Sequence, residues 1–193
     1  MKRFLATASL ALLAGCGTPA KLPSSTLAAP PASAPASPGA GAPNVFVGPV
    51  TIPETVDRPQ MVKRIDVNQV EIVDLDRWAE PLKAAIPRLV AEMLSRELGG
   101  ATVMTSRQSA TLAFDYRVAI DLQRFDFSAS EGAVVEALWT IRGEKDAAPR
   151  MGRSASREAA AGAGPEAMAA AQSRALEKLA REIAAAIRTM PRP

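Results

Sequence analysis

The stretch from Thr111 to Leu122 constrains the fold more than any other part of this chain of 193 residues. Apolar and polar side chains alternate along it, as they do in a β-strand with one buried and one solvated face. The alternation then changes phase at Phe125 and Phe127, and one inserted residue near Gln123-Arg124 would produce that change. The stretch therefore predicts a long strand with a β-bulge, in a sheet that is covered on one face.

Further strands and two helices are predicted around this strand. Strand patterns lie at residues 45–50, 61–65, 69–73, 133–142 and 151–157. A helical apolar stripe begins with Trp78 and Leu82, with Asp76 as the N-cap and a bend at Pro87. A second long helix opens at Gly164-Pro165. The predicted fold class is α+β, an antiparallel sheet of about five to six strands with two long helices packed on one face.

Composition argues against most enzyme classes. The chain has no histidine and a single cysteine, Cys16, which excludes Ser-His-Asp and Cys-His catalysis, disulfides within the chain and multi-cysteine zinc sites. Asp115 and Asp121 on one strand face, and Asp74 and Asp76 close in sequence, are candidate acid–base pairs. No phosphate-binding glycine loop accompanies them. We expect no catalytic residue, metal or cofactor, and a carboxylate hydrolase is the less favoured alternative.

The first residues of the chain have the features of a secretory signal. Two basic residues precede an apolar run, residues 4–14, which is too short to span a bilayer of about 30 Å as a helix. Small residues before Cys16 resemble the bacterial lipobox, which implies a signal peptide at 1–15 and covalent diacylglycerol and N-acyl chains on Cys16. Together these chains make membrane anchoring effectively permanent. Gly17 in place of Asp resembles the sorting pattern for the outer membrane.

Residues 16–43 form the second predicted region, a lipidated cysteine followed by a Pro/Ala/Ser-rich tether. The tether contains no aromatic residue and cannot bury enough surface to offset its ordering entropy. If it were extended as polyproline, it would reach roughly 80 Å. The composition turns globular at Asn44. We therefore expect a folded domain at 44–193, held away from the membrane by a spacer.

Charge is divided unevenly between two parts of this domain. Residues 44–149 hold 12 basic and 16 acidic side chains, whereas residues 150–193 hold 8 basic and 4 acidic ones. Arg153 and Arg157 share one face of the last predicted strand, either as a charged edge that prevents aggregation or as a basic edge that meets an acidic surface of a neighbouring copy. Without its leader the chain is nearly neutral, so no nucleic-acid partner is expected.

Three motifs stand out in the predicted domain: residues 47–50, the segment Arg58-Pro59-Gln60 with Arg64, and the run from Asp76 to Leu82. Together they resemble the PqiC-like ABC-type transport auxiliary lipoproteins. The similarity covers roughly residues 44–190 and includes Trp139 and the alanine-rich closing helix. Family members carry a pair of tyrosines soon after the lipidated cysteine, whereas this chain has the tether there.

The resemblance implies a non-enzymatic lipoprotein of the outer membrane that faces the periplasm of a Gram-negative bacterium. It implies partnership with an MCE-domain periplasmic protein of an ABC transport system that moves lipid between the two membranes. It further implies a homo-oligomeric ring that receives the MCE tube. The alternative is a periplasmic scaffold or envelope-assembly lipoprotein with no transport role.

The stretch that contains Arg58, Pro59, Gln60 and Arg64 is polar and precedes the first predicted helix. We expect it to be an interaction loop. The alternative is structural, because Pro59 can rigidify a turn and Arg64 can pair with Asp66 or Glu71.

The role of Trp78 admits two interpretations. Trp78 can anchor a partner or pack in the core, and its place on the apolar stripe with Leu82 favours the core. Trp139 is expected to be structural as well.

Overall fold

The computed structural model describes residues 24–30, 41–105, 113–144 and 148–191. The fold is α+β, as predicted, with two sheets and two long helices. The elements are β1 (Ser24–Ser25), β2 (Asn44–Thr51), a short 3-10 helix (Glu54–Val56), β3 (Gln60–Asp66), β4 (Gln69–Trp78), α1 (Leu82–Glu97), β5 (Thr102–Thr105), β6 (Tyr116–Ser128), β7 (Gly132–Gly143), β8 (Arg150–Glu158) and α2 (Pro165–Arg188).

The larger sheet has five strands in the order β5-β2-β6-β7-β8. The meander β6-β7-β8 is antiparallel, as predicted, but β2 pairs in parallel with both β5 and β6. The sheet is therefore mixed rather than antiparallel throughout. The chain leaves β2, builds the second sheet and α1, and only then returns as β5, and such a long crossover places strands in parallel.

The predicted bulge in β6 is present, since the register with β7 shifts between Leu122 and Arg124. Before the shift the even-numbered side chains of β6 are buried against the helices. After the shift Phe125 and Phe127 take over that role. The bulge thus keeps apolar residues on the inner face and turns Arg124 and Asp126 toward the opposite face, which we call the outer face.

Both helices pack against the inner face of this sheet and against each other. α2 begins as predicted, with Gly164 as N-cap and Pro165 in the first turn, and its apolar stripe is buried: Met168, Leu176, Leu179, Ile183 and Ile187. Met190, predicted on the same stripe, follows the end of the helix and is buried as well. α1 continues through Pro87 without interruption. Within the described ranges, neither helix combines the length and the hydropathy that a membrane-spanning helix requires.

The smaller sheet has the order β1-β4-β3, and its antiparallel hairpin β3–β4 contains the two strands predicted here. The strand β4 extends to Trp78, so the prediction of Asp76 as a helix N-cap is wrong. Asp76 lies in β4, and Pro81 occupies the N-cap position of α1. Trp78 ends the strand and Leu82 begins the helix, and both side chains point into the core. Their spacing therefore resembles a helical stripe.

An N-terminal segment, residues 24–30, packs onto this framework. Leu27 is only 1% exposed and belongs to the main core. The amide of Ala28 donates to Ser173 Oγ at 3.3 Å, and Arg96 Nη1 donates to the carbonyl of Pro30 at 2.7 Å. The expected tether of residues 16–43 therefore includes a segment that belongs to the folded unit. The remaining tether residues lie outside the described ones, except for the last three.

Trp139 links the larger sheet to α2. It lies on the inner face of β7, and its Nε1 donates to Ser154 Oγ at 3.0 Å. The Ser154 hydroxyl in turn donates to Glu182 on α2. Gly152 lies directly beneath the indole, where a Cβ would come within 2.1 Å of a ring carbon. The contact explains why a residue without a side chain stands opposite Trp139.

Candidate interaction surface

A continuous band of ion pairs crosses the outer face of the larger sheet and reaches the hairpin. Four arginines alternate in it with three carboxylates, and we call it the charged band. Its contacts are Arg64 Nε to Asp126 Oδ2 at 2.7 Å, Arg124 Nε to Asp126 Oδ2 at 3.0 Å, Arg124 Nη2 to Glu131 Oε2 at 3.3 Å, Arg124 Nη1 to Glu136 Oε1 at 3.5 Å, Arg153 Nη2 to Glu136 Oε2 at 3.1 Å and Arg157 Nε to Glu131 Oε1 at 3.3 Å.

Asp126 is the buried centre of the charged band, with 8% of its surface exposed. One of its oxygens accepts hydrogen bonds from both Arg64 and Arg124. Arg64 also donates from Nη1 to the carbonyl of Val67 at 3.0 Å, in the turn of the hairpin. Arg64 thus pairs with neither carboxylate expected from the sequence, Asp66 or Glu71. Burial of the Asp126 carboxylate requires charged hydrogen-bond partners of this kind. Through its contact with Asp126, Arg64 fastens the hairpin to the bulged end of β6.

The pKa values of two members of the charged band, Arg124 and Glu131, favour their ionised forms. The Arg124 guanidinium is partly desolvated, but hydrogen bonding and attraction from Asp126 and Glu131 outweigh this and raise its pKa. Hydrogen bonds from Arg124 and then from Arg157 lower the pKa of Glu131. Both groups are therefore charged at neutral pH.

Of the predicted site residues, the structure brings Arg64, Arg153 and Arg157 into this band. Arg153 and Arg157 lie on β8, the edge strand predicted here, but each faces a carboxylate of its own chain. The edge is therefore not an unpaired basic surface. Arg124 and Asp126 were not predicted as site residues from the sequence. The change of phase in the apolar alternation beside them nevertheless indicates the face of the sheet on which they lie.

The residues Arg58, Pro59 and Gln60 lie apart from the charged band. The Pro59 carbonyl accepts from the amide of Trp78 at 2.7 Å, and Gln60 is already part of β3, opposite Arg77. Arg58 Nε is buried and has no hydrogen-bond partner in the described part of the chain. This stretch forms a corner that closes the smaller sheet, and its role in partner binding stays a prediction.

Two of the carboxylates considered for catalysis, Asp115 and Asp121, have other partners. Asp115 accepts from the backbone amide of Asn44 at 2.7 Å, and Asp121 accepts from Thr51 and Gln123. Six residues of nearly extended chain separate the two aspartates, which places them about 20 Å apart. They do not form a pair that could share one substrate atom.

Replacing Asp126 by Asn is expected to lower the free energy of unfolding by about 2–3 kcal/mol, because two guanidinium groups lose their charged acceptor. Urea unfolding measures the loss. The matched control is Asp74→Asn, at an exposed carboxylate without an ion pair among the described residues, and it should change stability by less than about 0.5 kcal/mol. Equal effects of the two variants would mean that Asp126 does not fasten the hairpin.

Comparison with known proteins identifies one matching family and several structures with a similar fold. The family model for the ABC-type transport auxiliary lipoprotein component matches residues 26–184. The crystal structure of an uncharacterized protein aligns with a TM-score of 0.67 at 17% identity, covering 85% of this chain and 97% of that one. Protein XCC0632 from Xanthomonas campestris, of family DUF330, aligns with a TM-score of 0.57 at 21% identity, covering 84% and 92%.

A weaker likeness, with a TM-score of 0.43 at 14% identity, is found to a PelC dodecamer from Paraburkholderia phytofirmans, covering 74% of this chain and 89% of that one. No curated protein sequence matches the chain. The two structures with TM-scores of 0.67 and 0.57 show the fold, whereas the family match rests on the sequence itself. The family match begins within the N-terminal segment, just before the buried Leu27, and ends in α2. The chain therefore belongs to the family of ABC-type transport auxiliary lipoprotein components.

Proposed function

We propose that this chain is an outer-membrane lipoprotein, anchored through acylated Cys16 on the periplasmic side, that serves an ABC-type system for lipid transport between membranes. Family membership supports an auxiliary, non-enzymatic role in the cell envelope. We further propose that several copies assemble into a ring that receives an MCE-domain periplasmic partner. The observation that carries the proposal is the family match, together with the lipobox-like sequence before Cys16.

The packed N-terminal segment supports a role close to the membrane. Because residues 24–30 belong to the folded unit, only residues 17–23 separate it from Cys16. Seven residues span at most about 25 Å when fully extended. The folded unit would thus be held near the lipid surface. The maximum length of residues 17–23 is less than a third of the roughly 80 Å that a tether of residues 17–43 would span.

Binding to the partner tests the transport role. The unlipidated mature chain, with residues 1–15 removed and Cys16→Ser, is mixed with the periplasmic part of the MCE protein encoded beside it. We expect one complex of defined mass in size-exclusion chromatography with light scattering. If the chain is monomeric and does not bind the partner, the transport role is wrong and the scaffold alternative gains support.

Replacing Cys16 by Ser in the full chain is expected to abolish membrane association, because all three acyl chains depend on this cysteine. Cell fractionation should then move the protein from the membrane to the soluble fraction, and labelling with radioactive palmitate should vanish. Gly17→Ala is the control and should retain both. Continued membrane association of the serine variant would contradict anchoring through Cys16.

A further inference from the structure

The end of the hairpin β3–β4 exposes four large apolar side chains. Every residue from 65 to 72 is exposed, and we call this segment the hairpin tip. Its apolar members are Ile65, Val67, Val70 and Ile72, and Val67, in the turn itself, is 80% exposed. Because neighbouring side chains of a strand point to opposite faces, no part of the described chain covers either face of the tip. The hairpin tip therefore projects from the folded unit and is not a flat patch.

The charges around the hairpin tip nearly balance. Its two carboxylates are Asp66 and Glu71, and Lys63 stands opposite Glu71 in the register of the hairpin. The guanidinium of Arg64 pairs with Asp126 in the charged band. One carboxylate is thus in excess, which gives the tip no strong attraction to a charged partner. Its four apolar side chains therefore dominate what it can bind.

The direction of β1 brings the proposed lipid anchor toward the hairpin tip. β1 pairs in parallel with β4, with Ser24 opposite Arg77, and β4 runs from the tip to the base of the hairpin. The chain therefore enters Ser24 from the side of the tip. Eight residue steps lead from Ser24 back to Cys16, and eight steps of β4 lead from Arg77 back to the tip. At about 3.4 Å a step, either path measures at most about 27 Å, so Cys16 can reach the level of the tip.

We propose that the hairpin tip is a second membrane contact, which inserts its apolar side chains into the bilayer surface beside the acylated Cys16. Lipid surrounds a projecting tip on all sides, whereas a flat protein surface would cover only one of its two open faces. The apolar area removed from water stabilises the contact. The carboxylates of Asp66 and Glu71 keep the insertion shallow, because a charge is costly to bury. The inference rests on the anchoring through Cys16 in the proposed function.

The second contact gives the anchored protein an orientation. The acyl chains on Cys16 hold the folded unit near the bilayer, so the hairpin tip meets lipid at a high local concentration and a weak contact suffices. Because Arg64 fastens the hairpin to Asp126, the end of β6 lies next to the bilayer as well. The folded unit is therefore held in one orientation instead of turning freely on the lipid anchor.

Fluorescent labels on single cysteines test the contact in the mature lipoprotein. The chain has one cysteine, Cys16, and the proposed acylation occupies its thiol, so Val67→Cys adds one reactive thiol and the parent takes no label. Leu75→Cys is the matched control, because Leu75 is 66% exposed on the same hairpin. It lies six residue steps from the start of β4, which is about 20 Å from the tip.

The labelled proteins are added to preformed phosphatidylcholine vesicles with nitroxide groups on part of the acyl chains. Nitroxide lipid should quench the label at position 67 several-fold more strongly than the label at position 75. Dissolved iodide should quench the label at position 67 several-fold less. The nitroxide quenching should change little with salt, because the contact is apolar and surface charges are what salt screens.

Vesicle flotation and thermal unfolding accompany the quenching, and Ile65→Cys replaces Val67→Cys if that variant unfolds. If the protein floats with the vesicles but the label at the tip stays open to iodide, the anchor stands and this inference is wrong. Equal shielding of the tip and of position 75 would overturn the tip-first orientation. Shielding that appears only after the MCE-domain partner is added would make the tip a protein contact. If the protein does not float, anchoring through Cys16 fails and this inference fails with it.

Discussion

Replacing Trp78 by Ala is expected to lower the free energy of unfolding by about 3–5 kcal/mol, the largest single effect that we predict. The indole is 8% exposed and belongs to the main core. The same residue ends β4, where its amide donates to the Pro59 carbonyl and Ser25 pairs beside it. The smaller sheet and the N-terminal segment therefore meet at this residue, and a cavity left by its side chain in the main core would loosen both.

Urea unfolding followed by circular dichroism measures the effect of Trp78→Ala, and the fluorescence of Trp139 gives a second signal because the chain has two tryptophans. Trp78→Phe is the matched control, with an expected loss of about 1–2 kcal/mol because an aromatic ring still fills most of the space. An unchanged midpoint for Trp78→Ala, combined with loss of partner binding, would show that the indole contacts a partner and not the core.

Local patterns in the sequence were sufficient for the elements whose cause is local. The change of phase after Leu122 predicted the bulge, because each strand residue reports the face it occupies. Gly164 and Pro165 predicted the start of α2, because a first-turn proline loses no helical hydrogen bond. The start of α1 was misplaced, because Trp78 and Leu82 face one core from two different elements.

Contacts between distant parts of the chain were not predictable in the same way. Arg64 is followed within seven residues by two carboxylates, Asp66 and Glu71, yet its partner is Asp126, 62 positions away. The parallel pairing of β2 with β5 likewise depends on where a long crossover ends. The strand β1 lies in a sequence whose composition is typical of a spacer, and no local pattern predicts it. The segment is held in place by Leu27, whose core contacts are with residues far along the chain.

Replacing Leu27 by Ala is expected to lower the free energy of unfolding by about 2–5 kcal/mol, because the side chain is 1% exposed and its removal leaves a cavity. Leu138→Ala is the matched control. That leucine is 45% exposed on the outer face, so the cost there should stay below about 1 kcal/mol. Urea unfolding of the unlipidated mature chain measures both variants, and equal losses would mean that Leu27 is not part of the core.

Hydrogen exchange separates release of the N-terminal segment from general loss of stability. The amide of Ala28 donates to Ser173 Oγ, so it should lose protection in Leu27→Ala before the strands of the larger sheet do. Release would lengthen the stretch between Cys16 and the first packed residue, so the reach of the folded unit would exceed the about 25 Å that residues 17–23 can span. One buried leucine would then set how far the folded unit can move from the membrane. Simultaneous loss of protection in the segment and the sheet would instead show that the two unfold as one unit.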